Sequence, residues 1–276
     1  GAGKKAGEFY TPQQVSRILA KIVTLDKSKI KSAYDPTCGS GSLLLRIAKE
    51  AEVGEFFGQE WNRTTYNLAR MNMILHDVHF SRFDIRQEDT LEEPQHLGMQ
   101  FEAIVANPPF SAKWRGKDNP LFEIDDRFSQ FGNLVSKSYA DLAFVQHMLF
   151  HLSDNGTIAV VLPSGAMFRG SAERAVREYL VSQLNCVDAV IGLPLNLFYG
   201  TEIPPYILVL KKCRVHDENI LSIDASAEFS HLGTKRTLED QHVNRIVSAL
   251  LTRETDDSFS RTVSIKEIAK NGFNLS

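Results

Sequence analysis

Apolar positions along the chain fall into two alternating rhythms. Seven short runs rich in β-branched and aromatic residues read as strands, at 32–35, 55–60, 83–88, 101–106, 156–162, 186–193 and 206–210. Between them, apolar residues recur three and four apart over 13–23, 42–51, 64–76, 141–152 and 172–184, the spacing of a helix with one buried face. Strands alternating with helices imply βαβ units and an α/β fold with a doubly wound, mostly parallel sheet. No helical pattern separates 186–193 from 206–210, which predicts a hairpin inserting one antiparallel strand. A last helical run lies at 238–251. Two stretches break the rhythm. The first, 111–133, mixes Trp114, Arg115, Lys117 and Asp118 with Phe122, Phe128 and Phe131 and shows no period. The second, 195–205, carries Phe198, Tyr199 and Gly200 ahead of a Pro-Pro pair. Structureless stretches of such length in a compact domain mark functional or disordered segments.

Composition narrows the class. With 43% hydrophobic and 24% charged residues, the 276-residue chain reads as globular, one large domain or two small ones. Cys38, Cys186 and Cys213 are widely spaced with no C-x-x-C, which speaks against a disulfide framework or zinc ribbon and for a reducing, cytoplasmic setting. No apolar run approaches the ~18 residues of a membrane span, and the first seven residues lack the apolar core of a secretory signal. The start just ahead of a motif, and the stop at Asn274-Leu275-Ser276, read as cuts in a longer protein. A net charge of -3 argues against a free-standing nucleic-acid binder. The charge is uneven, however. Residues 1–49 hold nine Lys/Arg against three acids, residues 50–103 four against eleven, and a polarised surface is the expectation.

The strongest chemical signal is Tyr34-Asp35-Pro36-Thr37-Cys38-Gly39-Ser40-Gly41-Ser42, where a strand ends in an acid, a glycine turn follows and a helix begins. Glycines let the backbone approach a ligand, and the helix N-terminus offers unpaired N–H groups. The next strand ends at Glu60, 19 positions past Gly41, where an acid can grip ribose hydroxyls. A strand followed by Gly-x-Gly is compatible with both NAD-type and methionine-type cofactors. Here an acid stands where a third glycine would otherwise serve a pyrophosphate, and a negative charge suits an ammonium and a sulfonium. That favours S-adenosylmethionine.

The strand at 101–106 runs straight into Asn107-Pro108-Pro109-Phe110. Prolines withdraw their N–H groups and leave carbonyls exposed. The Asn107 side-chain oxygen and the Pro108 carbonyl can then accept both hydrogens of an exocyclic amine, while Phe110 offers a stacking wall for a base flipped from its helix. Alone, the tetrapeptide is equally an ordinary Pro-Pro turn capped by Asn; the acid-tipped glycine loop earlier in the chain tips the balance toward chemistry.

Together these blocks resemble the amino-methyltransferases of DNA, specifically the modification subunit of type I restriction–modification enzymes. Gly7-Glu8-Phe9-Tyr10-Thr11-Pro12 is similar to the family's N-terminal cofactor motif, and residues 35–41 to its main cofactor loop. Gln59-Glu60-Trp61-Asn62 resembles the ribose-acid strand, Asp89-Thr90-Leu91 the contact to the cofactor adenine, and Asn107-Pro108-Pro109-Phe110 the catalytic signature for adenine N6. Ser42 departs from the Gly of many relatives. The resemblance implies a seven-stranded Rossmann-like methyltransferase sheet over residues 1–220, with 221–276 as a C-terminal extension packed on or continuing it. It implies methylation of adenine N6 in double-stranded DNA, with the base flipped out. It also implies a separate specificity subunit and restriction subunit as partners, and no membrane. The cofactor residues would be Gly7–Pro12, Asp35, Thr37, Gly39, Ser40, Gly41, Ser42, Glu60, Asp89, Thr90 and Asn107. Asn107, Pro108, Pro109 and Phe110 would be catalytic. Methylation of RNA or of a protein glutamine amide remains an alternative, as does a fragment that binds cofactor but needs its specificity subunit to act.

Other candidates carry less. Cys38 lies inside the glycine loop and reads as small-residue packing. His147 and His151 have metal-ligand spacing without an accompanying glutamate and read as core or solvent-facing, so no metal is expected. Glu92-Glu93 reads as a solvated loop. Lys113, Trp114, Arg115 and Lys117 suit phosphate and base contact as well as they suit a solvated loop.

Overall fold

A computed structural model describes residues 11–198 and 200–276. The helix α1 (Gln13–Val23) precedes β1 (Lys29–Asp35), α2 (Ser42–Glu50), β2 (Glu52–Glu60), α3 (Arg63–Leu75) and β3 (Phe83–Gln87). Then come β4 (Phe101–Ala106), α4 (Asp141–Phe150), β5 (Leu152–Pro163), α5 (Ser164–Phe168), α6 (Ser171–Glu178), β6 (Val187–Gly192) and β7 (Pro205–Lys211). The chain continues with β8 (Asn219–Asp224), β9 (Ser230–Leu232), β10 (Lys235–Thr237), α7 (Asp240–Thr252), β11 (Ser260–Ser264) and α8 (Ile265–Lys270). Each of the seven strands and six helices read from the pattern is found, with ends shifted by a few residues.

The strands form one sheet in the order β11-β8-β6-β7-β5-β4-β1-β2-β3. Among the described residues it has nine strands, not the seven expected. The two additional strands, β8 and β11, extend the edge beyond β6, with β8 parallel to β6 and β11 antiparallel to β8. Strand β7 runs antiparallel between β5 and β6, as the missing crossover helix predicts, so antiparallel strands number two instead of one. A division at 220/221 falls inside β8. Strands β9 and β10 form a separate two-stranded antiparallel sheet.

Alternation in the strands separates two cores. Ala33, Ala103, Val105, Ala159 and Val161 pack toward α1, α2 and α7, whereas Tyr34, Ile104, Ile158, Val160 and Leu162 face α4 and α6. Strands buried on both faces carry continuous apolar runs, as β5 does from Ile158 to Leu162. The chain winds one way through β1, β2 and β3 and the other way through β4 and β5. Between β1 and β4 lies the crevice where such sheets bind ligands.

The stretch after β4 is ordered despite its lack of period. Three 3-10 turns (Gly116–Asp118, Pro120–Glu123, Ser129–Phe131) wrap around Trp114, Phe122 and Phe128, whose ring centroids lie 5.0–5.5 Å apart. Among the described residues, no helix is long and apolar enough to cross a membrane.

Candidate active site

The glycine turn is held from three sides. Asp35 closes β1 and accepts the Thr37 N–H through Oδ1 at 2.9 Å. The Cys38 N–H donates to the Gln59 carbonyl of β2 at 3.0 Å, and the Gly41 N–H to the Cys38 carbonyl at 2.8 Å. From α3, the Asn72 amide donates to the Ser40 carbonyl at 2.9 Å. Gly41 caps α2 with φ +82°, a left-handed conformation that a side chain strains. Gly58 is needed for another reason: a Cβ there would lie 3.0 Å from Cys38 Sγ and 3.1 Å from its Cβ. Cys38 is thus the small residue that seats the turn on β2.

Above the turn opens a cavity of about 870 Å³. Its walls include Thr11, Asp35, Thr37, Gly39, Ser40, Ser42, Glu60, Asp89, Thr90, Asn107 and Pro109, so the geometry gathers most of the residues singled out from the sequence. Gly41 supports from beneath, and Pro12 caps α1 outside the wall. Gly7, Glu8, Phe9 and Tyr10 lie outside the described residues.

The carboxyl groups are fixed by backbone donors. Glu60 Oε2 accepts the Asn62 N–H at 2.7 Å, and Asn62 in turn caps α3 through the Thr65 N–H at 3.0 Å. Asp89 Oδ1 accepts the N–H groups of Leu91 and Glu92 at 3.0 and 3.1 Å. Buried Gln59 ties that loop down, donating to the carbonyls of Glu88 and Glu93 at 3.1 and 2.8 Å and accepting the Gln95 N–H at 3.1 Å. Burial pushes the Asp35 carboxyl up to about 8, opposed by the Thr37 N–H and assisted by the charge of Glu60. Thr37 Oγ1 is buried in the wall with no partner among the described residues. Three acids and an orphan hydroxyl are a donor set for a polar cation with hydroxyl groups.

From β4, the strand beside β1, comes Asn107, whose amide nitrogen donates to Thr11 Oγ1 at 2.8 Å and leaves its oxygen as the acceptor. Pro109 lines the wall and Pro108 is buried behind it. Phe110 departs from expectation. Its ring is 4% exposed, lies in the core 6.0 Å from Phe198 and does not line the cavity, so burial of the apolar ring anchors the turn instead of presenting a stacking face. The exit from the turn passes through Ser111 at φ +51°, whose N–H donates to Asp141 Oδ1 at 2.9 Å.

Trp61 and Asn62, from the block that resembles the ribose-acid strand, line the wall together with Thr65 of α3. Leu68 of α3 and Phe144, from a helix whose apolar residues read only as core, escaped the sequence reading. Glu92 is no solvated loop residue: Oε2 accepts from Asn119 at 3.0 Å and pairs with Arg115 at 3.5 Å. Trp114 lines the mouth, yet its indole N–H is committed to the Ser136 carbonyl at 2.9 Å and its ring to Phe122. His147 and His151 are both fully buried core residues.

A family model described as N-6 DNA Methylase matches residues 1–276. The chain belongs to the N-6 DNA methylase family. It is 40% identical over 287 residues to the type I restriction enzyme MpnII methylase subunit of Mycoplasma pneumoniae, an alignment covering 99% of this chain and 53% of that protein. It is 34% identical to the MjaVII methylase subunit of Methanocaldococcus jannaschii, covering 98% and 48%. Among solved structures, the type I restriction-modification system methyltransferase subunit from Streptococcus thermophilus superposes with a TM-score of 0.93 at 43% identity, covering 99% of this chain and 59% of that one. The chain spans about half the length of the curated relatives it matches.

Proposed function

We propose that this methylase transfers the methyl group of S-adenosylmethionine to N6 of a flipped adenine in double-stranded DNA, as the catalytic part of a type I modification subunit. One observation carries the reading: a single cavity is lined both by the acid-tipped glycine turn and by Asn107, whose amide nitrogen is committed to Thr11 and whose oxygen is left to accept. Asp35, Glu60 and Asp89, with Thr37, Ser40 and Ser42, fit the cationic and hydroxyl groups of the cofactor. Gly7–Tyr10 would complete its binding site. When bound, the cofactor supplies an electrophilic methyl group on a sulfonium. The Asn107 oxygen and the Pro108 carbonyl accept the two hydrogens of the substrate amine, which localises the nitrogen lone pair and aims it along the cavity. No strong base is required, because the amine proton leaves only after the nitrogen has become cationic. Phe110 holds this turn from behind.

Relatives named as methylase subunits of type I restriction enzymes, and the family described as N-6 DNA Methylase, support DNA as substrate; separate specificity and restriction subunits as partners are what the resemblance of the sequence implies. Asn107→Ala should abolish transfer while leaving cofactor affinity within a few-fold; an active variant sinks the mechanism. Incubation with labelled cofactor and DNA, RNA or protein tests the substrate, with and without a specificity subunit. Transfer to protein alone refutes the assignment.

A further inference from the structure

Beneath the cavity lies a buried cation that the catalytic scheme does not use. Arg127 is 1% exposed, and all five of its N–H groups have acceptors. Nε donates to Asp125 Oδ1 at 3.0 Å. One terminal nitrogen donates to Asp125 Oδ2 and to the Leu91 carbonyl, both at 2.7 Å. The other donates to the Thr90 carbonyl at 3.1 Å and to His147 Nδ1 at 3.0 Å. A guanidinium only donates, so His147 Nδ1 must accept and its proton sits on Nε2, which donates to Tyr34 Oη at 2.8 Å. Burial and the neighbouring cation hold the His147 pKa well below its ordinary value, in keeping with this neutral tautomer.

The partners of Arg127 come from three places that meet nowhere in sequence. Thr90 and Leu91 are wall residues of the cavity, next to Asp89. Asp125 belongs to the stretch between the catalytic turn and α4, the stretch that brings Lys113, Trp114 and Arg115 to the cavity mouth. His147 belongs to α4, and through it the network reaches Tyr34, which immediately precedes Asp35 in β1. A buried charge is tolerated only when its hydrogen bonds are complete, and here completeness requires the cavity wall, the post-catalytic stretch and α4 to stand in one arrangement.

We infer that Arg127 is a positioning residue for the cofactor: it sets the Asp89–Leu91 wall by holding two carbonyls from behind, and makes that wall depend on the ordering of the post-catalytic stretch. The inference rests on the cavity being the S-adenosylmethionine site. Arg177 provides a matched control, being 2% exposed and clamped to the carbonyls of Phe273, Ala166 and Arg169 away from the cavity.

The test is calorimetric titration of S-adenosylmethionine into the wild-type chain, Arg127→Met, Arg127→Lys and Arg177→Met, at a temperature where circular dichroism shows each folded. Loss of one or two charged hydrogen bonds predicts a dissociation constant at least about tenfold higher for Arg127→Met. Arg127→Lys, which keeps a cation but not the fork, should recover part of that loss. Arg177→Met should bind within about twofold of wild type. Equal binding by Arg127→Met and wild type overturns the inference, as does equal weakening by the Arg177 variant. Should Arg127→Met not fold, Arg127→Lys decides: wild-type affinity overturns the inference and a fivefold or greater loss of about that order supports it. A wild-type chain that binds no cofactor overturns the reading of the cavity itself, a result distinct from any pattern among the variants.

Discussion

Asp35 is the residue whose electrostatics most directly serve the cavity. Its carboxyl is 1% exposed and titrates near 8, against 3.8 for the ordinary group, so in the ligand-free chain at pH 7 it is mostly protonated. The folded state therefore holds this proton over a range of pH in which the unfolded chain has lost it. The resulting contribution to stability is fully present below pH 3.8 and is lost as the pH rises to about 8. Asp35→Asn mimics the protonated form, and its thermal midpoint should gain on wild type progressively as the pH rises across that window; a constant difference in scanning calorimetry contradicts this. A cationic ligand reverses the preference by ionising the group. Binding of S-adenosylmethionine at pH 7 should therefore release up to about one proton, read as a dependence of the binding enthalpy on the buffer's ionisation enthalpy, and Asp35→Asn should lose both that dependence and most of the affinity. The buried histidines act with the opposite sign. Burial lowers His147 and brings His151 to about 4, so both fold neutral, and the stability they contribute is lost as the pH falls below 6.5. Acid should unfold the chain through these rings before its carboxylates are fully protonated, and His151→Gln should flatten the midpoint curve between about pH 6.5 and 4.

At the scale of elements, the site depends on how closely β1 and β2 run, because their ends carry Asp35 and Glu60. Gly54 marks the closest approach: a Cβ there would sit 2.6 Å from the Lys31 carbonyl of β1, a backbone atom that cannot swing aside. Gly54→Ala should cost roughly 1–3 kcal/mol, a fall of several degrees in thermal midpoint, and should weaken cofactor binding by shifting the strand ends. Gly98→Ala, in open space, should leave both unchanged. The elements that the sequence predicts well are those with continuous or strictly periodic apolar residues, such as β4, β5 and α1. Strand β11 was illegible because only Ser260 and Val263 of its five residues are buried, and an edge strand facing solvent carries no run to read. Strand β8 was hidden in a region that looked mixed, although Ile220, Leu221 and Ile223 are buried. The site divides in the same way. Asp35, Glu60 and Asn107 stand where strands end, a position that pattern alone locates. Arg127 does not, because its acceptors lie at 90, 91, 125 and 147 and only the fold brings them together.

Across the whole molecule, charge bears on how the chain would meet the DNA substrate proposed for it. The sequence concentrates basic residues before position 50 and acids after it, but the fold joins the two stretches instead of presenting them as separate faces. Lys21 pairs with Glu50 at 3.1 Å, Arg46 with the same carboxylate at 3.9 Å, and Lys27 with Glu102 at 3.5 Å. At the cavity mouth Arg115 is paired with Glu92, and nearby Lys137 with Asp118 at 2.9 Å. Cations already paired release fewer counterions from a duplex than their number suggests, and a chain of net charge -3 gains little from long-range steering. The chain alone should therefore bind duplex DNA weakly, with a dissociation constant in the micromolar range or above at physiological salt and a shallow salt dependence. Fluorescence anisotropy with a labelled duplex at several salt concentrations measures both quantities. Nanomolar binding with a steep slope would show that this chain grips phosphates by itself. The expected weak binding would agree with the proposed reading, in which affinity for DNA comes largely from outside this chain.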